Sequence, residues 1–99
     1  FIITRGNCKL DSKRLTLECN NESLELSKNE SKILELLFSN FPNVVKREKI
    51  LTEIWDTDTF VEENTLNVAI SRVRKKLSDL DADVQVVTVR MLGYKLESV

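Results

Sequence analysis

Four cationic side chains fall within one stretch of fourteen residues, and no carboxylate interrupts them: NTLNVAISRVRKKL, residues 64–77, holds Arg72, Arg74, Lys75 and Lys76. Guanidinium and ammonium groups in such a run can neutralise phosphates, and an arginine can also make a bidentate contact with guanine O6 and N7. Ahead of the cations stand Thr65, Val68 and Ala69. Their small side chains would let a backbone approach base edges closely and offer methyl groups to thymine. Catalysis has less to work with. The chain has no histidine, its only glycines are Gly6 and Gly93, and no carboxylate pair sits between apolar elements. Neither a catalytic constellation nor a phosphate-cradling loop can be assembled, so no enzymatic activity, cofactor or metal is expected. Cys8 and Cys19, without a CxxC spacing, are read as two small buried hydrophobes in a reducing cytoplasm, the other reading being a disulfide across neighbouring strands.

Charge is unevenly placed along the 99 residues, whose formal net charge is -1. Residues 1–17 carry four basic side chains against one acidic; residues 18–63 carry five against eleven; residues 64–99 carry six against four. A nearly neutral total therefore hides a basic helix behind an acidic middle, and the distribution argues for a polyanionic partner. Hydrophobic content of 41% with 31% charged residues describes one ordinary globular domain. The apolar runs are too short to span a bilayer. The chain begins at Phe1 and is expected to be one domain of a longer, cytoplasmic protein.

The elements that must position the basic stretch can be read from periodicity. Cys8 and Leu10, then Leu15, Leu17 and Cys19, then Leu24 and Leu26 lie two apart, the period of a strand with one buried face, and RGN, DSKR and NNE separate them as turns. The spacing predicts a short antiparallel meander, with FII contributing a first strand. At Ser27 the period changes. SKNE is a capping box, followed by Ile33, Leu34, Leu37, Phe38 and Phe41 at helical spacing and ended by Asn40 and Pro42. A second helix is predicted from about Lys46 to Asp56, with Ile50, Leu51, Ile54 and Trp55 inward. The polar connection DTDTFVEEN then leads into the third helix, and VQVVTV, RMLG and YKLE form a terminal hairpin.

On a wheel of about 100° per residue, Ile70, Val73 and Leu77 fall within about 40° of Leu66 and make one narrow apolar stripe. Thr65, Val68, Arg72 and Lys75 occupy the far side, between about 180° and 260°, with Lys76 and Ala69 next at about 280° and 300°. Arg74, at about 80°, points away from that face and is expected to pair with a carboxylate or a phosphate edge. Helix, short helix, long helix and hairpin is the order of a winged helix-turn-helix, with Arg90 near the hairpin tip where it could enter a minor groove.

These segments resemble the DNA-binding effector domain of OmpR/PhoB-type response regulators over nearly the whole chain. LELSKNESKILELL is similar to the family's first helix, NVVKREKILTEIW to its second, FVEENTLNVAISRVRKKL to its recognition helix and VTVRMLGYKL to its wing. FVEENTLNV is most similar to the branch that senses cell-envelope antibiotics and antimicrobial peptides. The resemblance implies an α+β fold with a four-stranded antiparallel N-terminal sheet, three helices and a C-terminal hairpin wing. It further implies a receiver domain outside this chain, phosphorylated by a sensor histidine kinase, and two copies bound head-to-tail on direct repeats of double-stranded DNA. Carried over by position, base reading falls on Thr65, Val68, Ala69 and Arg72. Phosphate contact falls on Arg47, Asn64, Ser71, Lys75 and Lys76, and minor-groove contact on Arg90. A loop able to touch RNA polymerase falls on residues 56–63, with Asp56, Asp58, Glu62 and Glu63.

Three positions depart from the pattern. Ser31 stands where an aromatic is usual, so Phe38 or Phe41 must fill the space. Met91 stands where the wing usually has glycine, so a positive φ there would be strained. Ser71 stands where relatives are often basic, which weakens backbone grip. The rival reading is a winged helix that meets an acidic protein partner; such an interface would more often present aromatic anchors than small residues beside an arginine.

Overall fold

A computed structural model describes residues 2–54 and 64–99 in full and residues 55 and 63 as helical backbone. In order, the elements are β1 (Ile2–Arg5), β2 (Cys8–Asp11), β3 (Thr16–Cys19), β4 (Glu22–Glu25), α1 (Lys28–Asn40), β5 (Val45–Lys46), α2 (Arg47–Trp55), α3 (Glu63–Asp79), β6 (Val84–Val89) and β7 (Gly93–Ser98). The first four strands form an antiparallel meander in the order β1-β2-β3-β4. Asn20 and Asn21, both at positive φ, make the two-residue turn between β3 and β4, where asparagine tolerates the left-handed region. Cys8, Leu10, Leu17 and Cys19 point inward and are fully buried, as their period of two demands.

Cys8 and Cys19 are direct partners in the β2–β3 register and are joined by a disulfide, so the preferred reading of two free thiols is corrected. Their Cα atoms are 4.3 Å apart, the close approach of a non-hydrogen-bonded antiparallel pair.

Helix α1 begins as its sequence dictates. Glu30 N–H donates to Ser27 Oγ at 3.1 Å, and Ser27 N–H donates back to Glu30 Oε1 at 2.7 Å. Ile33, Leu34, Leu37 and Phe38 are fully buried along its inner stripe, and Ser31 is buried beside them. Phe41 is half-buried, with the Arg5 guanidinium 5.9 Å from its ring centroid. The second sheet is larger than the hairpin that the sequence predicts. The hairpin β6–β7 is there, but β5 adds a third strand in the order β5-β7-β6. Lys46 pairs with Gly93, and a Cβ on Gly93 would meet Val45 O, so only glycine lets β5 approach this closely.

The end of α3 is closed by Asp81 at φ +53, with Asp81 N–H donating to Ser78 O and Ala82 N–H to Leu77 O. The turns of the first sheet are pinned to this corner. Asn7 N–H donates to Asp83 Oδ1 and Asp83 N–H to Asn7 Oδ1, both at 2.9 Å, while the Asn20 amide donates to Leu80 O and Asp81 O at 3.0 Å. The N-terminal sheet thereby braces the C-terminal end of the basic helix. Among the described residues no helix is long and apolar enough to cross a membrane.

Candidate nucleic-acid interface

Helix α3 is held by the stripe that its periodicity defines. Leu66, Ile70, Val73 and Leu77 are all buried, and burial of each such side chain stabilises by about 1.5–3 kcal/mol. The helix therefore cannot rotate about its axis, and its other flank is committed to solvent. On that flank Asn64, Val68, Ser71, Arg72 and Lys75 are exposed, and Thr65 is half-buried. Asn64, Thr65, Val68 and Arg72 line a groove whose opposite wall is Ser27, Asn29 and Glu30 at the start of α1. Arg72 makes no hydrogen bond or ion pair among the described residues. Lys75 leans on Asp79 at 3.1 Å, but both side chains are largely exposed, and such a surface pair is worth about 0.2–1 kcal/mol, little enough to yield to a phosphate.

Three expectations for this helix need correction. Ala69 is buried, not presented: the beginning of α1 packs over its side of the helix, which widens the buried stripe beyond the four periodic residues. Lys76 is turned inward. Its Nζ donates to Glu30 Oε1 at 2.7 Å and to Glu25 O at 2.6 Å, and the Glu30 side chain is only 3% exposed. The ammonium that was expected at phosphate instead ties α3 to the capping box of α1. Burial raises the Glu30 carboxyl, but the hydrogen bonds from Lys76 and Ser27 outweigh it and hold the carboxyl below its ordinary value. Arg74 is engaged by the wing and not by a carboxylate among the described residues. Its Nε donates to Val86 O at 3.2 Å and its Nη2 to Thr88 Oγ1 at 2.7 Å, which clasps α3 to strand β6 of the wing.

The wing tip is the turn Val89–Leu92, closed by Leu92 N–H to Val89 O at 3.0 Å. Arg90 is exposed in it. Met91 has φ +64, the sign that the third position of a type II turn requires, at a cost of about 1–2 kcal/mol for a residue other than glycine. Arg47 is half-buried at the start of α2, and its backbone N–H donates to Leu92 O at 3.0 Å. The wing is thus fastened both to α3, by Arg74, and to α2. Asp56, Asp58 and Glu62, and the side chains of Trp55 and Glu63, lie outside the described residues.

Two exposed polar residues escaped the sequence reading. Asn67 is exposed on α3 about 100° from Leu66, on the side that carries Arg74 and not on the flank of Val68 and Arg72. Its wheel angle could have found it. Lys46, on β5 beside the wing, could not be placed without that strand.

Comparison with known proteins bears on what this surface meets. The family model described as "Transcriptional regulatory protein, C terminal" matches residues 21–96. The transcriptional regulatory protein YxdJ of Bacillus subtilis is 41% identical over 97 residues, which are 98% of this chain but 42% of YxdJ. The chain thus spans well under half the length of that relative. Among solved structures, the C-terminal domain of the nisin resistance regulator NsrR, a lantibiotic response regulator, is 36% identical with a TM-score of 0.81, covering 95% of this chain and 94% of that one. The DNA-binding domain of Klebsiella pneumoniae RstA, in complex with the RstA box, is 25% identical with a TM-score of 0.75, over 95% of this chain and 94% of that one. With its meander, three helices and winged hairpin, the chain belongs to the family of C-terminal transcriptional regulatory domains, and is an OmpR/PhoB-type winged-helix DNA-binding output domain of a response regulator.

Proposed function

We propose that α3 lies in the major groove of double-stranded DNA with Thr65, Val68 and Arg72 toward base edges. Val68 offers methyl contact to thymine, and Arg72 offers a bidentate contact to guanine. Asn64, Ser71 and Lys75 meet phosphates along the groove, Arg47 meets the backbone below the wing, and Arg90 reaches the adjacent minor groove. Ala69 and Lys76 take no part in base or phosphate contact. The observation that carries this reading is the exposed Arg72, without a partner among the described residues, beside exposed Val68 on a helix anchored by the buried stripe of Leu66, Ile70, Val73 and Leu77.

In the whole protein, a receiver domain phosphorylated by a sensor kinase brings two copies head-to-tail onto direct repeats in the cytoplasm, and residues 56–63 face RNA polymerase. The likeness to a lantibiotic response regulator supports an inducing signal from antimicrobial peptides at the cell envelope. Selection of bound sequences from random duplexes tests the reading. The expected product is a recurring half-site, repeated about one helical turn apart in sites that hold two copies. Arg72→Ala should lose about 1–3 kcal/mol and relax preference at one position. An unchanged preference would remove Arg72 from the reading face.

A further inference from the structure

The wing tip carries side chains that the fold does not use. Met91 adopts a left-handed backbone that glycine or asparagine would occupy with less strain, yet its side chain is 96% exposed and contributes no packing. Leu92 beside it is 52% exposed. Two adjacent large apolar side chains therefore project into solvent from the wing turn. Cations flank them: Arg90 precedes them in the turn, and Lys46 stands across the β5–β7 ladder, paired with Gly93.

From this we infer that Met91 is an apolar wedge for the minor groove, seated beside Arg90 where the wing crosses the DNA next to the recognition helix. The inference rests on the DNA-binding reading above and extends it to a contact made by carbon. The minor groove is about 6 Å wide, walled by deoxyribose carbons and rimmed by phosphates, and apolar side chains such as Met, Leu or Phe enter it between base steps. A narrow tip with cations at its base has that complementary form. A stable protein interface needs on the order of 800 Å² per partner, more than two side chains on a turn can offer.

The 99-residue chain and its variants are titrated with a duplex holding one half-site recovered by the selection and flanked by A·T steps. Met91→Gly should raise Kd by about tenfold while leaving the slope of log K against log salt unchanged, because a methionine releases no counterion. Arg90→Ala should reduce that slope by about one. Met91→Leu should retain most of the affinity. The Met91→Gly fold is checked by its thermal midpoint, which should stay the same or rise. A 2-aminopurine placed at the flanking step should brighten with the wild-type chain and not with Met91→Gly. If Arg72→Ala and Arg90→Ala weaken binding but Met91→Gly does not, the wedge is overturned and the DNA-binding face stands. If none of the three variants matters, the DNA-binding face itself falls. Should Met91→Gly weaken binding only on a duplex with two half-sites, the tip meets a second copy of this chain, and the minor-groove assignment is overturned.

Discussion

Removing the ammonium of Lys76 while keeping its apolar stem, as in Lys76→Met, should destabilise the domain without touching its grip on DNA. The magnitude follows from who is left behind. Glu30 Oε1 receives one hydrogen bond from Lys76 at 2.7 Å and one from Ser27 N–H at 2.7 Å, and the Glu30 side chain is 3% exposed. Breaking a fully buried ion pair from one side costs about 3–5 kcal/mol, because the other charge stays buried. Lys76 is 26% exposed, so water recovers part of this, and about 2–4 kcal/mol remains. Glu30→Gln should cost less, about 1–2 kcal/mol: the amide oxygen still accepts from Ser27, and the ammonium keeps Glu25 O and water. The double variant should fall short of additivity by at least about 1 kcal/mol. Urea unfolding gives these differences directly, and each kcal/mol should move the thermal midpoint by about 4–8 °C in a domain of this size. On folded protein, the salt slope of DNA binding should be the same for Lys76→Met as for wild type. A loss of less than about 0.5 kcal/mol together with a salt slope lowered by about one would refute the structural role and return Lys76 to the phosphates.

Other outcomes follow from the same geometry. Lys75→Ala should weaken all duplexes nearly alike and lower the salt slope by about one, since its partner among the described residues is the exposed Asp79; an unchanged slope would place Lys75 off the backbone. The Glu30 carboxyl titrates below its ordinary value in the folded chain, so the unfolded chain takes up this proton first as the pH falls. The stability it contributes is complete above the unfolded carboxylate value, about 4.3, and is lost as pH drops through the lower folded value. Unfolding followed from about pH 6 to pH 3 should therefore decline more steeply for wild type than for Glu30→Gln, and parallel curves would count against the coupling. The Cys8–Cys19 disulfide closes a loop with a sequence separation of 11, worth up to about 3 kcal/mol in the chain-entropy account. A reductant strong enough to open it in the unfolded chain should lower the denaturation midpoint, whereas identical curves with and without reductant would show that the crosslink adds nothing.

Much of this fold can be read locally. The capping box at Ser27 and Glu30 appears where the motif places it, because its two hydrogen bonds span only three residues. The buried stripe of Leu66, Ile70, Val73 and Leu77 follows from helical period alone. Strand β5 could not be seen: two residues carry no period, and they form a strand only because Gly93 leaves room for them. The disulfide needed the β2–β3 register, which puts Cys8 opposite Cys19; spacing along the chain permitted free thiols as well.

The basic helix divides along the same line. Composition and period determined that residues 64–77 form a cationic helix with one oily face, since both properties belong to the segment itself. Which cations are available was decided by neighbours distant in sequence. Glu30, 46 residues away, captures Lys76; strand β6 captures Arg74; and Arg72 is left exposed between them. A helix wheel assigns every charge an angle, but whether a carboxylate waits at that angle depends on how α1 and the wing pack around the helix.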